Sequence, residues 1–319
     1  MRAGFDRTAP EVTMSEPSTA HLPAASVICV GIATLDYIYR VESLPTEGRK
    51  YRASDLEVQG GGIAANAAVA IARLGGTSAL VTRLGDDLTG DAVRTGLMRE
   101  DVEIAASAAI AGARSPVSAI MVDKAGERMI MSYSDPAMPV EPDWLPEALP
   151  PGTGAVLGDT RWEEGALHMF QLARRAGIAA VLDGDRKPMD PCLLTAATHV
   201  AFSEVGLEEQ TGLSDVRLAL SSFAPGCCWL AVTAGARGVW ICDHGEITHV
   251  PAFEVTAVDT LGAGDVWHGA FALALAEQQP EMAAVRFANA AAAIKCTRFG
   301  GRKGAPTRAE VEQFLQERT

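Results

Sequence analysis

Between Ala155 and Thr233 the chain alternates short apolar runs with helical stretches, and no other feature limits its architecture as strongly. The runs Ala155–Gly158, Ala179–Asp183, His199–Phe202 and Trp229–Thr233 are too short for helices and too uniformly apolar for strands with one wet face. Glu164–Ala176 has helical spacing, and a second helix begins at Glu204. Strands joined through helices are parallel neighbours, and a parallel sheet needs both faces covered. Ser26–Ile32 is another buried-type run. The expected class is therefore α/β, a mostly parallel sheet between two helical layers.

Two segments do not fit that sheet. Tyr37–Val41 with Arg52–Gln59, and Ser118–Val122 with Arg128–Tyr133, alternate apolar and polar residues as half-exposed strands do. They read as an antiparallel β lid, built from about residues 36–59 and 110–137, over a site at the carboxyl edge of the sheet. Gly60-Gly61-Gly62 opens an Ala-rich helix that runs to about Leu74, and Thr89–Glu100 reads as a helix capped by Thr89. Residues 1–25 are expected to be a flexible extension, and residues 26–319 one domain carrying the lid.

Lys and Arg number 27 against 40 Asp and Glu, a formal charge of −13. Such acidity disfavours nucleic acid and anionic membranes as partners, because both need clustered cations. No apolar run approaches the length of a membrane span, and the first 25 residues lack the apolar core of a signal peptide. Six scattered cysteines without a C-x-x-C pair or zinc spacing read as reduced thiols, so the expected compartment is the cytoplasm.

The chemistry concentrates in Val258-Asp-Thr-Leu-Gly-Ala-Gly-Asp-Val-Trp-His-Gly-Ala-Phe271, followed by an apolar helix to about Glu277. Gly262, Ala263 and Gly264 leave backbone N–H groups unobstructed at a helix start, where amides and dipole together bind anions. Asp265 falls in the first turn, where the dipole favours its ionised form. A carboxylate beside an anion hole suits phosphoryl transfer to a hydroxyl; the plainer alternative is a helix cap behind a glycine turn. Gly269 comes two positions too late for G-x-G-x-x-G, which argues against a nicotinamide-dependent oxidoreductase, and no P-loop occurs.

Asp259-Thr-Leu-Gly-Ala-Gly-Asp265 resembles the C-terminal signature of the ribokinase-like (PfkB) carbohydrate kinases. Gly61-Gly62-Ile-Ala-Ala-Asn66, with Leu74-Gly75 further on, resembles the N-terminal one, and Thr233-Ala-Gly-Ala-Arg-Gly238 the nucleotide-contacting turn. The resemblance runs from Val27 to the C-terminus and implies a ribokinase-like three-layer core with a sugar lid. It implies Asp265 as catalytic base and Gly262, Ala263 and Gly264 as anion hole. Sugar contacts would come from Asp36, Gly61, Gly62 and Asn66, and ATP contacts from Thr233, Gly235, Gly238 and Asn289. ATP and Mg²⁺ are the implied cofactors, a monovalent cation such as K⁺ is admitted, and a homodimer through the lid is the implied assembly. The family's Asn-x-x-Glu reads Ser203-Glu-Val-Gly206 here, so the metal ligand is left unassigned, with Glu204 or waters as the candidates.

Within that family the chain is similar to bacterial sulfofructose kinases, through Leu44–Tyr51, Asp159-Thr-Arg-Trp162, Leu182-Asp-Gly-Asp185 and Lys295–Arg302 among other segments. That likeness implies a ketohexose such as 6-deoxy-6-sulfofructose, or a fructose-type sugar, phosphorylated on a primary hydroxyl. Lys50 and Arg161 would read its anionic end. The alternatives are a nucleoside kinase stacking a base on Tyr37 or Tyr39, a kinase of another sugar or sugar phosphate, and a non-catalytic sugar-binding regulator.

Overall fold

The computed structural model describes residues 12–13, 26–104, 107–223 and 228–318. Apart from Val12–Thr13, the expected N-terminal extension lies outside them. Nine strands form the main sheet, in the spatial order Glu246–Val250, Val239–Asp243, Trp229–Thr233, His199–Ser203, Ala179–Gly184, Thr153–Asp159, Ser26–Val30, Thr77–Val81 and Val102–Glu103. From Trp229–Thr233 to Val102–Glu103 every pairing is parallel; the first two strands are an antiparallel extension that the sequence pattern did not reveal.

The period of two in each strand divides the core into the two expected layers. Val27, Cys29, Leu157, Val181 and Ala201 pack under helices Ile63–Arg73, Ala263–Ala276 and Glu281–Cys296. Ile28, Val30, Val156, Leu182 and Phe202 pack under Glu163–Ala176 and the short helices near residues 192–221. Phe271 anchors the first layer, stacked between Trp229 and Trp267 at centroid distances of 5.0 and 5.1 Å. Burial of that ring contributes about 2–3 kcal/mol, and each aromatic pair about 0.5–1.5 kcal/mol more.

The lid is a separate four-stranded sheet in the order Arg128–Tyr133, Val117–Val122, Thr34–Arg40, Asp55–Gly61. It is mixed rather than antiparallel. Its two hairpins meet through a parallel pairing in which Asp36 lies opposite Ser118. Helix Leu88–Met98 is capped not by Thr89 but by Asp87, whose Oδ1 accepts the Gly90 N–H at 2.7 Å. Asp87 also accepts from the N–H and hydroxyl of Ser115, so a contact 28 residues away fixes the cap. A third small sheet joins Arg83–Gly85, Ala108–Ile110 and Val12–Thr13.

Lid, sheet and the Ile63–Arg73 helix converge on Asp159, at the end of a central strand. Its carboxylate accepts the N–H groups of Ile32 at 2.8 Å, Ala64 at 3.1 Å and Arg161 at 2.8 Å. Asp159→Ala leaves those three donors without their acceptor. A loss of about 2–4 kcal/mol of unfolding free energy is expected, read as a lower urea midpoint at unchanged slope.

Candidate active site

Two helix N-termini meet above the carboxyl edge of the sheet. Gly62 precedes helix Ile63–Arg73, and Gly262, left-handed at φ 76°, precedes Ala263–Ala276. That φ suits glycine and costs a side chain. Gly269 lets the two helices cross closely: a Cβ there would lie 2.6 Å from the Ala67 carbonyl oxygen. The crossing sets Asn66 against Asp265, with Asn66 Nδ2 donating to Asp265 Oδ2 at 2.7 Å. Residues 199 apart in sequence thus share one hydrogen bond.

Asp183, at the end of strand Ala179–Gly184, and Asp185 just beyond it are the other acids near Asp265. Burial, then the Asp183 carboxylate, push the Asp265 carboxyl up to about 7, against the pull of the Asn66 amide and of His268. The helix dipole does not prevail, because desolvation and a like charge both favour the neutral acid. His268, one turn on and buried, has Nδ1 2.8 Å from the Gly264 carbonyl and 3.0 Å from Asp183 Oδ2. Its Nε2 lies 3.0 Å from the Ala201 carbonyl. Both ring nitrogens therefore face acceptors, which only the imidazolium satisfies. Burial opposes that charge, but Asp183 and the two carbonyls outweigh it and bring the pKa up to about 9. Asp183 and His268 were not singled out from sequence. His268 beside the Gly-Ala-Gly-Asp run was visible, but Asp183 and the Ala201 carbonyl reach it from strands distant in sequence.

The helix start has no side-chain cap. Of the three expected anion-hole residues, Ala263 spends its N–H on the Thr260 carbonyl at 3.2 Å. The first-turn amides left for an anion are those of Gly264 and Asp265. A Cβ at Gly264 would meet no protein atom within 4 Å, so the space above that amide is open. It opens into a cavity of about 1200 Å³, whose walls include Thr233, Gly235, Gly238, Ala263, Gly264 and Asn289. Asn289 is held on both ends, its Oδ1 accepting from Trp267 Nε1 at 2.8 Å and its Nδ2 donating to the Pro251 carbonyl at 3.3 Å.

On the lid side, Asp36 is buried, its Oδ1 accepting from Thr34 Oγ1 at 2.7 Å, and burial raises its pKa. Gly61 lies against that carboxylate, where a side chain would collide with it. A second cavity of about 200 Å³ is lined by Ile32, Thr82, Arg83, Pro116, Asp135 and Arg161 among others. Arg83, also missed from sequence, donates to the Pro139 carbonyl at 2.6 Å and lies 4.6 Å over the Trp162 ring.

Other expectations find different surroundings. Arg161 is ion-paired with Asp185, which also accepts the Thr160 hydroxyl at 2.6 Å. Lys50 sits exposed on the loop between the first two lid strands and lines neither cavity. The Glu204 carboxylate is taken by Arg237, and among the described residues no group of three acidic, His or Cys side chains is arranged to hold a metal. Tyr37 and Tyr39 alternate with Asp36 and Ile38, so they lie on the lid face opposite the Asp36 carboxylate. That placement removes them as base-stacking residues for a nucleoside.

The large cavity thus opens at the start of helix Ala263–Ala276, and the Asn66–Asp265 hydrogen bond ties that start to the Gly61–Gly62 turn beside Asp36. The chain matches the model of the pfkB family carbohydrate kinases over residues 24–308. It belongs to that family. Ribokinase of Haemophilus influenzae is 26% identical over 90% of this chain and 97% of its own length. Fructokinase-1 of Zea mays is 30% identical over 81% and 88%. Among solved structures, one described as a candidate ribokinase from Agrobacterium tumefaciens is 38% identical, with a TM-score of 0.84 over 92% of this chain and 98% of that one. Arabidopsis thaliana ribokinase, complexed with ribose and ATP, shares the fold at 24% identity, a TM-score of 0.77 and coverage of 93% and 99%. This PfkB protein is an ATP-dependent sugar kinase of the ribokinase and fructokinase type. Among its described residues no helix is long and apolar enough to cross a membrane.

For this kinase, a carbon-13 carboxylate titration is expected to find Asp265 ionising near pH 7. In His268→Asn, loss of the imidazolium that favours the charged form moves that ionisation to higher pH. An unchanged titration in the variant would contradict a charged His268.

Proposed function

We propose that this kinase phosphorylates the primary hydroxyl of a ketohexose, with a sugar carrying a fixed anion, such as 6-deoxy-6-sulfofructose, as the preferred substrate class. The observation that carries the reading is the small cavity beside Ile32, which two arginines, Arg83 and Arg161, help to line. An oxyanion suits such planar donors. An uncharged fructose-type sugar is the second reading. It is supported by the ion pair of Arg161 with Asp185 and by the likeness to a fructokinase.

In this mechanism Asp36, Asn66 and the Gly61–Gly62 backbone hold the sugar hydroxyls beneath the lid. Asp265 orients the attacking hydroxyl and takes its proton. The amides of Gly264 and Asp265, backed by the helix dipole, hold charge on the transferring phosphoryl group. Thr233, Gly235, Gly238 and Asn289 line the ATP cavity, Asn289 through the remaining edge of an amide already fixed by Trp267. Mg²⁺ fits as a companion of the nucleotide rather than of a protein cage, since it is commonly bound by phosphates, waters and one or two carboxylates. Asp185, one of the acids near Asp265, would hold it through water. When bound, the metal neutralises phosphate oxygens. Lid closure excludes water and limits ATP hydrolysis. Cys29, a buried thiol outside any disulfide, accords with a reducing cytoplasm.

Coupled-assay rates with sulfofructose, fructose, fructose 6-phosphate, ribose and adenosine test the reading. The highest kcat/KM is expected on sulfofructose, rising with pH through about 7 as Asp265 ionises. Asp265→Asn is expected to lose roughly 10³-fold in kcat with sugar binding retained by calorimetry. Arg161→Ala should lose activity on the anionic sugar alone; equal losses on fructose remove its reader role.

We also propose a homodimer through the lid. Tyr37, Tyr39, Leu56, Val58, Met121, Met129 and Met131 share the lid face turned away from Asp36, as the strand registers require. Leu56, Val58, Met129 and Met131 are exposed on it. An apolar sheet face of that extent fits a second copy of itself. Sedimentation velocity is expected to find a dimer that Met131→Asp converts to monomer; a monomeric wild-type protein refutes the interface.

A further inference from the structure

One buried cation has no part in the mechanism above. Lys295, the penultimate residue of helix Glu281–Cys296, has a fully buried side chain. An ammonium is costly to bury unless it is paired and hydrogen-bonded. Its Nζ donates to the main-chain oxygen of Asp259 at 2.7 Å and lies 3.5 Å from Asp259 Oδ2.

Asp259 is the first residue of the turn that ends in the anion hole, and the structure ties it down from every side. Its carboxylate accepts the N–H groups of Leu261 at 2.8 Å, Gly300 at 3.0 Å and Gly301 at 3.3 Å. The N–H groups of Val258 and Asp259 both donate to the Cys296 carbonyl, at 2.7 and 3.1 Å. The turn therefore sits on a helix C-terminus, where carbonyls concentrate negative charge. The Asp259 carboxylate adds to that charge, and Lys295 brings a full positive charge to the same spot.

We propose that Lys295 is a positioning residue for phosphoryl transfer: its tethered ammonium is the internal cation that holds the Asp259–Gly264 turn in shape, and turnover needs no added monovalent cation. A lysine ammonium is a compact monovalent charge, comparable in size to K⁺ and NH₄⁺. Fixed by its own side chain, it keeps the Gly264 and Asp265 amides in place before ATP arrives. The inference rests on the reading of that turn as the phosphate-holding element.

The test is steady-state kinetics in buffers whose only monovalent cation is tetramethylammonium, with NH₄⁺, K⁺ or Na⁺ then added. Wild-type kcat is expected to stay within about twofold throughout, whereas Lys295→Ala and Lys295→Met lose at least about tenfold in tetramethylammonium. Lys295→Ala leaves a space that a free cation can enter, and NH₄⁺ or K⁺ should restore about fivefold or more. Lys295→Met fills that space with an apolar chain and should not be restored. A purely structural lysine would give no difference in rescue between the two variants. Dependence of the wild type on K⁺, wild-type turnover in either variant, or failure of Lys295→Ala to respond to any cation overturns the proposal. Should a variant not fold, as judged by circular dichroism, the cation response of the wild type decides. Gly262→Ala separates this proposal from the reading beneath it. Wild-type turnover in Gly262→Ala refutes the anion hole itself, while its loss beside a fully active Lys295→Ala refutes only the role of Lys295.

Discussion

The cleft depends on one close crossing of helices. Ile63–Arg73 and Ala263–Ala276 approach because Gly269 has no Cβ to strike the Ala67 carbonyl, and that approach makes the Asn66–Asp265 hydrogen bond. A side chain at position 269 would push the helices apart and separate the two halves of the site. Phe271, fixed between Trp229 and Trp267 further along the same helix, resists such movement, since close-packed cores transmit displacement rather than absorb it. Position and charge at Asp265 are thus set by packing several residues away.

The second constraint is electrostatic. Parallel strands end together, so Asp159, Asp183 and Asp185 gather at one edge of the sheet and Asp265 faces them from above. Such crowding would neutralise some of them by protonation if no cations intervened. His268 takes Asp183, Arg161 takes Asp185, and three backbone N–H groups take Asp159. Among the described residues the Asp265 carboxylate accepts from the Asn66 amide, and burial with the nearby Asp183 carboxylate pushes its pKa up to about 7. A group held near neutrality in this way is suited to exchange a proton with a hydroxyl. The net charge of −13 bears little on this, because exposed charges are screened while those in the cleft act at contact distance.

Much of the architecture was legible before any coordinates. Buried runs such as His199–Phe202 appear as strands within one residue at either end, because a strand covered on both faces must be apolar throughout. The Asp259–Asp265 run and Gly61–Asn66 also marked two helix starts that the fold brings together. Errors arose where a distant contact overrode local preference. Asp87 rather than Thr89 caps its helix because Ser115 holds the Asp87 carboxylate in place. The lid contains a parallel pairing because its hairpins come from segments some eighty residues apart. Lys50 and Glu204 had plausible residue types, but the fold put one on an open loop and gave the other to Arg237.

By itself the sequence determined the α/β class, the lid, the family and the loop that carries Asp265, since hydrophobic period and glycine spacing are local properties written along the chain. Only the tertiary structure decided that Asn66 touches Asp265, that His268 lies between Asp183 and two carbonyls, and that Lys295 bonds the turn beginning at Asp259. The reason is physical. A pKa, an ion pair and a close helix crossing depend on distances between groups far apart in sequence, and no local pattern encodes those distances.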